Sequence, residues 1–160
     1  MRLAPMAASD LDAVLAVQAA CYPPAMQEAA DVVLARLAAS PETVLVARDD
    51  AGVCAYLFAY PSRLGKVTPL GATFDVAVGA DTLYLHDLAV APRAAGQGLA
   101  RALVARLLAG SARRGWAHSA LVSVQDSRAF WESLGYACAA GGGAALATYP
   151  GGALYMVRTL

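Results

Sequence analysis

Apolar and polar positions along the 160 residues recur at two different periods, and the changes of period divide the chain into elements. Arg2 to Pro5 has the look of a short opening strand. Ser9 is placed to cap a helix that carries Asp10 and Asp12 in its first turn and runs to about Cys21. Pro23-Pro24 breaks it. Val33, Leu34 and Leu37 recur at helical spacing and predict a second helix over Gln27 to Ala39, ended by Ser40-Pro41. Thr43 to Arg48 and Val53 to Tyr60 are apolar runs of strand length, joined by the hairpin signal Asp49-Asp50-Ala51-Gly52. Pro61 to Asp81 carries Gly65, Pro69, Gly71 and Gly79 and predicts a long loop, with at most a strand at Phe74 to Val78. A loop of that length in a compact domain points to function or to disorder.

Leu83 to Val90 is an apolar strand that runs into Pro92 and the short loop Arg93-Ala94-Ala95-Gly96-Gln97-Gly98. Gln97 to Arg114 follows as a helix, with Leu99, Leu103 and Leu107 in one stripe widened by Val104 and Leu108. Gly115 closes it. Ser119 to Val124 predicts a strand, Ser127 to Leu134 a short helix, and Tyr136 to Cys138 the start of a strand. Gly141-Gly142-Gly143 and Pro150-Gly151-Gly152 mark turns before a last strand at Ala153 to Arg158. The order β-α-α-β-β-β-α-β-α-β-β is that of an α/β domain with a mixed, largely antiparallel sheet and helices on both faces. No repeat or linker interrupts it, so residues 1–160 are expected to form a single domain.

Composition narrows the classes. The apolar fraction is 59%, but much of it is alanine and no run is long enough to span a bilayer. Asp10 and Asp12 come too early for a secretory signal, so a soluble cytoplasmic protein is expected. Lys and Arg number 12, as do Asp and Glu; the zero net charge argues against nucleic acid or an anionic membrane as partner. Arg113 and Arg114 fit a solvated helix face. Cys21, Cys54 and Cys138 are odd in number and widely spaced, which fits reduced thiols and neither a disulfide framework nor a metal site.

The segment from Leu83 to Leu103, LYLHDLAVAPRAAGQGLARAL, carries the chemistry. Strand, glycine-bearing loop and helix form an arrangement that grips phosphate. Glycine lets backbone N–H groups approach an anion, and the helix N-terminus adds unpaired donors and the positive end of its dipole. Neither the dinucleotide fingerprint nor the triphosphate loop is present, since Gly98 is followed by Leu99 and Ala100 where the latter needs lysine with serine or threonine. Arg93, inside the loop, is expected to hold an anion.

Arg-x-x-Gly-x-Gly followed by leucine, after a strand ending Leu-Ala-Val-x-Pro, resembles the acyl-CoA loop of the GNAT superfamily of acetyl-CoA-dependent N-acetyltransferases. A second block, Val124 to Tyr136, resembles the family's C-terminal motif through Phe130, Leu134, Gly135 and Tyr136. The resemblance implies the GNAT fold, with a V-shaped splay between the central strand and the one after its helix, and acetyl-CoA as co-substrate with no metal. It implies that the pantetheine arm lies along Leu88, Ala89 and Val90. It further places the pyrophosphate on the N–H groups of Ala95, Gly96, Gln97, Gly98, Leu99 and Ala100, near Arg93, with Ser127, Phe130 and Trp131 on the opposite side. On that reading Gly98→Val should abolish cofactor binding and leave the fold intact.

Two departures matter. The asparagine expected near position 124 is absent, and Trp131 stands where the family most often has a tyrosine that protonates the departing thiolate. An indole N–H is far too weak an acid for that step, so water or one of Tyr22, Tyr136, Tyr149 and Tyr155 would have to serve. Attack by an amine also requires a base, because alkyl amines are protonated near neutrality. His86 is the candidate, since imidazole titrates in that range; the alternative is a core histidine. The segment resembles the arylalkylamine acetyltransferase branch, which has His-Leu-His-x-Leu-Ala-Val here. His86 matches its second histidine and Tyr84 replaces the first, making Tyr84 the other candidate catalytic residue. Strand alternation puts Tyr84, His86, Leu88 and Val90 on one face and Leu85, Asp87 and Ala89 on the other. Asp87 is expected to be structural and His118 a surface residue.

The expected activity is acetyl transfer from acetyl-CoA to a primary amine by direct attack in a ternary complex. No cysteine lies in either motif to form an acyl-enzyme. Tyr22, Met26, Tyr56, Phe58, Tyr60 and Phe74 outnumber the acids Glu28, Asp31 and Asp75 in the regions expected to choose the acceptor, which favours a small amine with an apolar or aromatic body. A homodimer is compatible with these features. The competing reading from another class is a catalytically weak acyl-CoA-binding sensor, which the residue at 131 supports. A nucleotide-phosphate protein would need a lysine and acidic metal ligands that the loop does not offer.

Overall fold

The computed structural model describes all 160 residues. Seven strands form one sheet: β1 (Arg2–Pro5), β2 (Val44–Asp49), β3 (Gly52–Ser62), β4 (Thr82–Val90), β5 (His118–Ser123), β6 (Ala137–Cys138) and β7 (Leu154–Thr159). Their spatial order is β1-β2-β3-β4-β5-β7-β6. Only β4 and β5 run parallel; every other neighbouring pair is antiparallel. Five helices accompany them: α1 (Leu11–Cys21), α2 (Ala30–Ala39), α3 (Leu99–Arg113), α4 (Arg128–Ser133) and α5 (Gly143–Leu146).

The sheet separates two apolar layers. On one face Val14 and Val17 of α1 and Val33 and Leu37 of α2 pack on Tyr56, Phe58 and Tyr60. On the other, Leu99, Leu103, Val104, Leu107 and Leu108 of α3 and Trp131 of α4 cover Leu57, Leu83, Leu85 and Leu121. The stripe expected on α3 is therefore the buried one. Leu103 is fully enclosed, and cutting it to alanine would cost about 2–5 kcal/mol.

Boundaries moved where local chemistry overrode periodicity. Asp10, not Ser9, stands at the cap of α1 and makes no side-chain bond to the helix; its carboxylate reaches back to accept the Ala7 N–H at 2.9 Å and pairs with Arg48 at 2.7 Å. Helix α2 starts at Ala30 because Pro24–Met26 forms a tight turn of its own. Helix α3 starts at Leu99, because Gly98 stands left-handed (φ 75°) at its cap and cannot belong to the helix. Phe74 to Val78 forms no strand; the segment between β3 and β4 stays irregular and lays Phe74 on Tyr60, ring centroids 4.2 Å apart.

Two irregularities of β4 shape the molecule. Its pairing with β5 covers Thr82 to Leu85 against His118 to Leu121 and then stops, so the two strands part. Against β3, Phe58 faces Asp87 while Ala59 faces Leu85, which makes His86 the extra residue of a β-bulge.

Candidate functional site

Where β4 and β5 part, a cleft of about 260 Å³ opens. Leu88, Val90 and Ala100 contribute to one wall, and Ser127, Phe130 and Trp131 to the other. Arg101 ties the walls together: its guanidinium donates to Ser133 Oγ at 2.8 Å and lies 5.5 Å from the Phe130 ring. Trp131 both faces the cleft and packs edge-on against Tyr136 in the core.

The floor of the cleft is backbone. The Ala91 N–H donates to Cys54 O on β3 at 2.7 Å, so strand alternation turns the peptide groups of Val90 and Leu88 toward the side that β5 has left. Two side chains at the end of α1 reach them. The Cys21 thiol donates to Val90 O at 3.2 Å and the Tyr22 hydroxyl to Leu88 O at 3.0 Å. Ala89 lies in the opposite core layer and can offer the cleft only its main chain.

At the mouth lies the glycine loop. Ala95 N–H is taken by Pro92 O at 3.2 Å, and the first helical bond beyond the loop is Ala102 N–H to Gly98 O at 3.0 Å. The six N–H groups between, Gly96 to Arg101, have no acceptor within the chain. The donor set is thus displaced by one residue from the expected Ala95 to Ala100. Gly96 (φ 79°) and Gly98 (φ 75°) hold the left-handed turns that aim it. Arg93 is engaged away from this row: its guanidinium pairs with Asp49 and with Val53 O on the β2–β3 hairpin, all at 3.2 Å. The anion it holds belongs to the protein.

The bulge redirects the inner end of β4. Strict alternation would put His86 with Leu88 and Val90 and set Asp87 opposite. Instead the extra residue turns both His86 and Asp87 toward α1 and α2, while Leu88 and Val90 join the α3 layer. The His86 side chain is 2% exposed although the residue as a whole is half-buried, so its backbone is what the cleft sees. Its Nε2 lies 3.1 and 3.3 Å from the two Glu28 oxygens, and its Nδ1 is buried without a partner. Glu28 also receives Arg36 in a two-pronged pair at 2.6 and 2.5 Å and the Gly71 N–H at 2.7 Å. Burial alone would push the Glu28 carboxyl up. The hydrogen bonds from His86 and Arg36, with the Arg36 charge and that of His86 when protonated, more than reverse this and hold it far below the usual carboxylate range.

Asp87 accepts from the Tyr56 hydroxyl at 3.0 Å and keeps its other oxygen buried and unpartnered. Burial pushes its carboxyl up, the Glu28 charge adds to this, and the His86 charge opposes it. A second cavity of about 20 Å³ shares Tyr22, His86 and Asp87 with the cleft and is also lined by Leu70 and Tyr149. Tyr84 is not brought to either space: it is 1% exposed, 5.6 Å from the Tyr60 ring, with its hydroxyl buried and unbonded. His118 opens β5 but is half-buried, not a surface residue.

Three residues were not assigned a place in the site from sequence. Glu28 is one of the few acids near the acceptor regions, but nothing local marks it as the partner of a histidine 58 positions away. Tyr22 was one of four tyrosines with no order among them. Gln125 also lines the cleft and donates to Cys21 O at 3.3 Å. Gln125 (φ 53°) and Asp126 (φ 56°) are the non-glycine residues in left-handed conformation, and both lie on the turn after β5. Strain concentrated beside a cleft is a mark of functional sites.

No helix is long and apolar enough to cross a membrane. No curated protein matches the chain. The family model described as Acetyltransferase (GNAT) family matches residues 11–136. Among solved structures, the GNAT-like decarboxylase GphF in complex with isobutyryl-CoA is 17% identical, covers 99% of both chains and superposes with a TM-score of 0.84. The loading GNATL domain of CurA from Lyngbya majuscula is 12% identical over 99% of this chain and 96% of its own, TM-score 0.80. The ribosomal-protein-S18-alanine N-acetyltransferase from Escherichia coli is 20% identical over 99% and 92%, TM-score 0.70. At these identities the likeness is one of fold.

Proposed function

Because the chain belongs to the GNAT family of acetyltransferases, we propose that it binds acetyl-CoA in the cleft between β4 and β5 and transfers the acetyl group to a primary amine. The observation that carries the reading is the parting of the two strands after Leu85 and Leu121, beside six consecutive free N–H groups from Gly96 to Arg101. A pyrophosphate is the ligand such a donor row suits. The pantetheine arm would then follow the exposed edge of Leu88 and Val90, with Phe130 and Trp131 against its other side.

In the transfer, the amine nitrogen attacks the thioester carbon, the carbon–sulfur bond breaks, and an amide and free CoA result. One proton leaves the nitrogen and one returns to the thiolate. His86 is the proposed base. Trp131 cannot protonate sulfur, and Tyr22 is the tyrosine whose side chain lines the cleft, so it is the proposed donor in place of the family's usual tyrosine. Its hydroxyl keeps its proton, because burial and the Asp87 charge push it well above the ordinary phenol range. The apolar side of the main cleft, with Leu85, Leu88, Val122 and Val124, favours an acceptor with an apolar body.

A second reading rests on the size of that inner cavity. About 20 Å³ is room for a water-sized group. A carboxyl-bearing acyl-CoA that loses carbon dioxide needs no acceptor, and the similar structure of GphF is that of a GNAT-like decarboxylase. One experiment separates the readings. Calorimetric titration with acetyl-CoA is followed by thiol release on a panel of primary amines, and malonyl-CoA is assayed for carbon dioxide. Thiol release on an amine supports acetyl transfer, and carbon dioxide without it supports the second reading. Tight binding with neither leaves the acyl-CoA sensor, and no binding removes the cleft as a CoA site.

A further inference from the structure

We infer that Glu28 is a positioning residue for His86: it takes the Nε2–H of the imidazole and thereby makes Nδ1 the proton acceptor of the site. The inference deepens the acyl-transfer reading and, for its role in turnover, rests on it.

Neither oxygen of Glu28 has a proton to give. Two Arg36 nitrogens, the Gly71 N–H and His86 Nε2 converge on them within 3.3 Å. A carboxylate so surrounded only accepts, and the proton in its contact with His86 must sit on Nε2. A neutral imidazole carries one ring proton, so Nδ1 is left with its lone pair. That atom is buried and has no hydrogen-bond partner within the chain, and the residue lines the inner cavity while meeting the cleft through its backbone.

Glu28 cannot swing away or act as the base itself. Its backbone is clamped by Gln18, whose amide donates to Glu28 O and accepts from Glu28 N–H, both at 3.0 Å. Its carboxylate is 4% exposed and fully engaged. Arg36, 1% exposed, also donates to Ala72 O at 2.8 Å and lies 5.3 Å from the Phe74 ring. The loop between β3 and β4 is thereby held onto the same carboxylate that orients His86. The other ionisable groups near the imidazole are Asp87, next in the chain and bonded to Tyr56, and the phenols of Tyr22, Tyr84 and Tyr149. The phenols are all pushed up by burial and stay neutral.

The test is nitrogen NMR on the full chain with labelled histidine. His118 is the only other histidine, and His118→Gln assigns the signals. His86 should show a bare Nδ1 and a protonated Nε2 at a pH where it is neutral. Glu28→Gln should mix the two tautomers and lower kcat by about 10²–10⁴-fold, the range of general acid–base assistance, while acetyl-CoA affinity stays within about twofold. A protonated Nδ1 in the parent chain overturns the proposal, as does a Glu28→Gln variant with the parent's tautomer and kcat. If the parent acetylates no amine, the proposed function fails on its own, and the tautomer still decides whether Glu28 sets His86. Should Glu28→Gln not fold beside the buried Arg36, pairing it with Arg36→Gln restores a neutral hydrogen-bonded couple for the same NMR measurement.

Discussion

Arg93 grips Asp49 with two nitrogens, each 3.2 Å from a carboxylate oxygen, and this commits its guanidinium to the β2–β3 hairpin. The pair is largely exposed, with 45% of the Arg93 side chain open to solvent. Such a pair contributes little to stability, and its arginine is not aimed at the free N–H row. Arg93→Ala should therefore change acetyl-CoA affinity by less than about threefold, measured calorimetrically at moderate salt. A tenfold loss would mean that the guanidinium leaves Asp49 for the cofactor.

Gly98 is a different case from the one the sequence suggests. A Cβ built there meets nothing within 4 Å, but φ is +75°. Any side chain strains the backbone, so the fold is not spared, and valine is a poor probe. Gly98→Ala should lose about 1–2 kcal/mol from the left-handed conformation alone. Gly152 (φ +88°) also has open space around its Cβ position and is far along the chain from the loop, so Gly152→Ala controls for strain. Only Gly98→Ala should also weaken acetyl-CoA binding, by about tenfold or more, or about 1.4 kcal/mol. Equal affinity in the two variants would take the loop out of the cofactor site.

Tyr84→Phe removes a hydroxyl that is buried without a partner. Losing an unsatisfied polar group costs nothing and can stabilise. The melting temperature should hold or rise, and turnover should be unchanged. A dead Tyr84→Phe enzyme would restore Tyr84 to the chemistry and call for a rearranged β4.

Much of the site was legible because it is local. The strand, the glycine loop and the α3 stripe lie within Leu83 to Leu108, where spacing alone dictates what is buried and what stays free. Alternation failed at His86, since a bulge is a property of two strands and its register depends on Phe58 and Ala59 of the partner. The pairing of Arg93 escaped for a similar reason: its partner Asp49 is 44 residues away. The sequence marks Glu28 as an acid, but its burial depends on Gln18, Arg36 and Gly71 arriving from three separate segments.

The four tyrosines left unranked by the sequence separate by their partners. Tyr136 bonds Ser119 at 2.8 Å, Tyr149 bonds Thr68 O at 2.8 Å, and Tyr155 accepts the Gly65 N–H at 2.8 Å. Tyr22 alone among them lines the main cleft. Tyr22→Phe should lower kcat by about 10²-fold or more if it protonates the departing sulfur. Tyr136→Phe should instead lower stability and leave kcat in the folded protein near its parent value. A thioester with a more acidic leaving thiol should lessen the Tyr22→Phe defect. If it does not, Tyr22 acts through its bond to Leu88 O and not as an acid.

Glu28 and Asp87 should leave opposite signatures in stability against pH. The Glu28 carboxyl is held far below its ordinary value of about 4.3, so on acidification the unfolded chain takes up a proton there before the folded one does. Its stabilising contribution is complete above that ordinary value and drains away as pH falls toward the folded one. Asp87 is pushed up by burial, so the folded chain holds the proton to higher pH than the unfolded chain. Stability is then lost as pH rises from about 3.9 through the folded value, because an unpartnered buried oxygen must carry charge. Melting temperatures taken from about pH 3 to pH 8 should show this. Glu28→Gln should flatten the acid slope, and its deficit against the parent should shrink as pH falls. Asp87→Asn should change the slope only above the ordinary aspartate range. If the Glu28→Gln deficit instead grows as pH falls, Glu28 carries a proton in the folded state. Nε2 of His86 would then be free to face a hydroxyl instead of a carboxylate, and the orientation of the imidazole would need another cause.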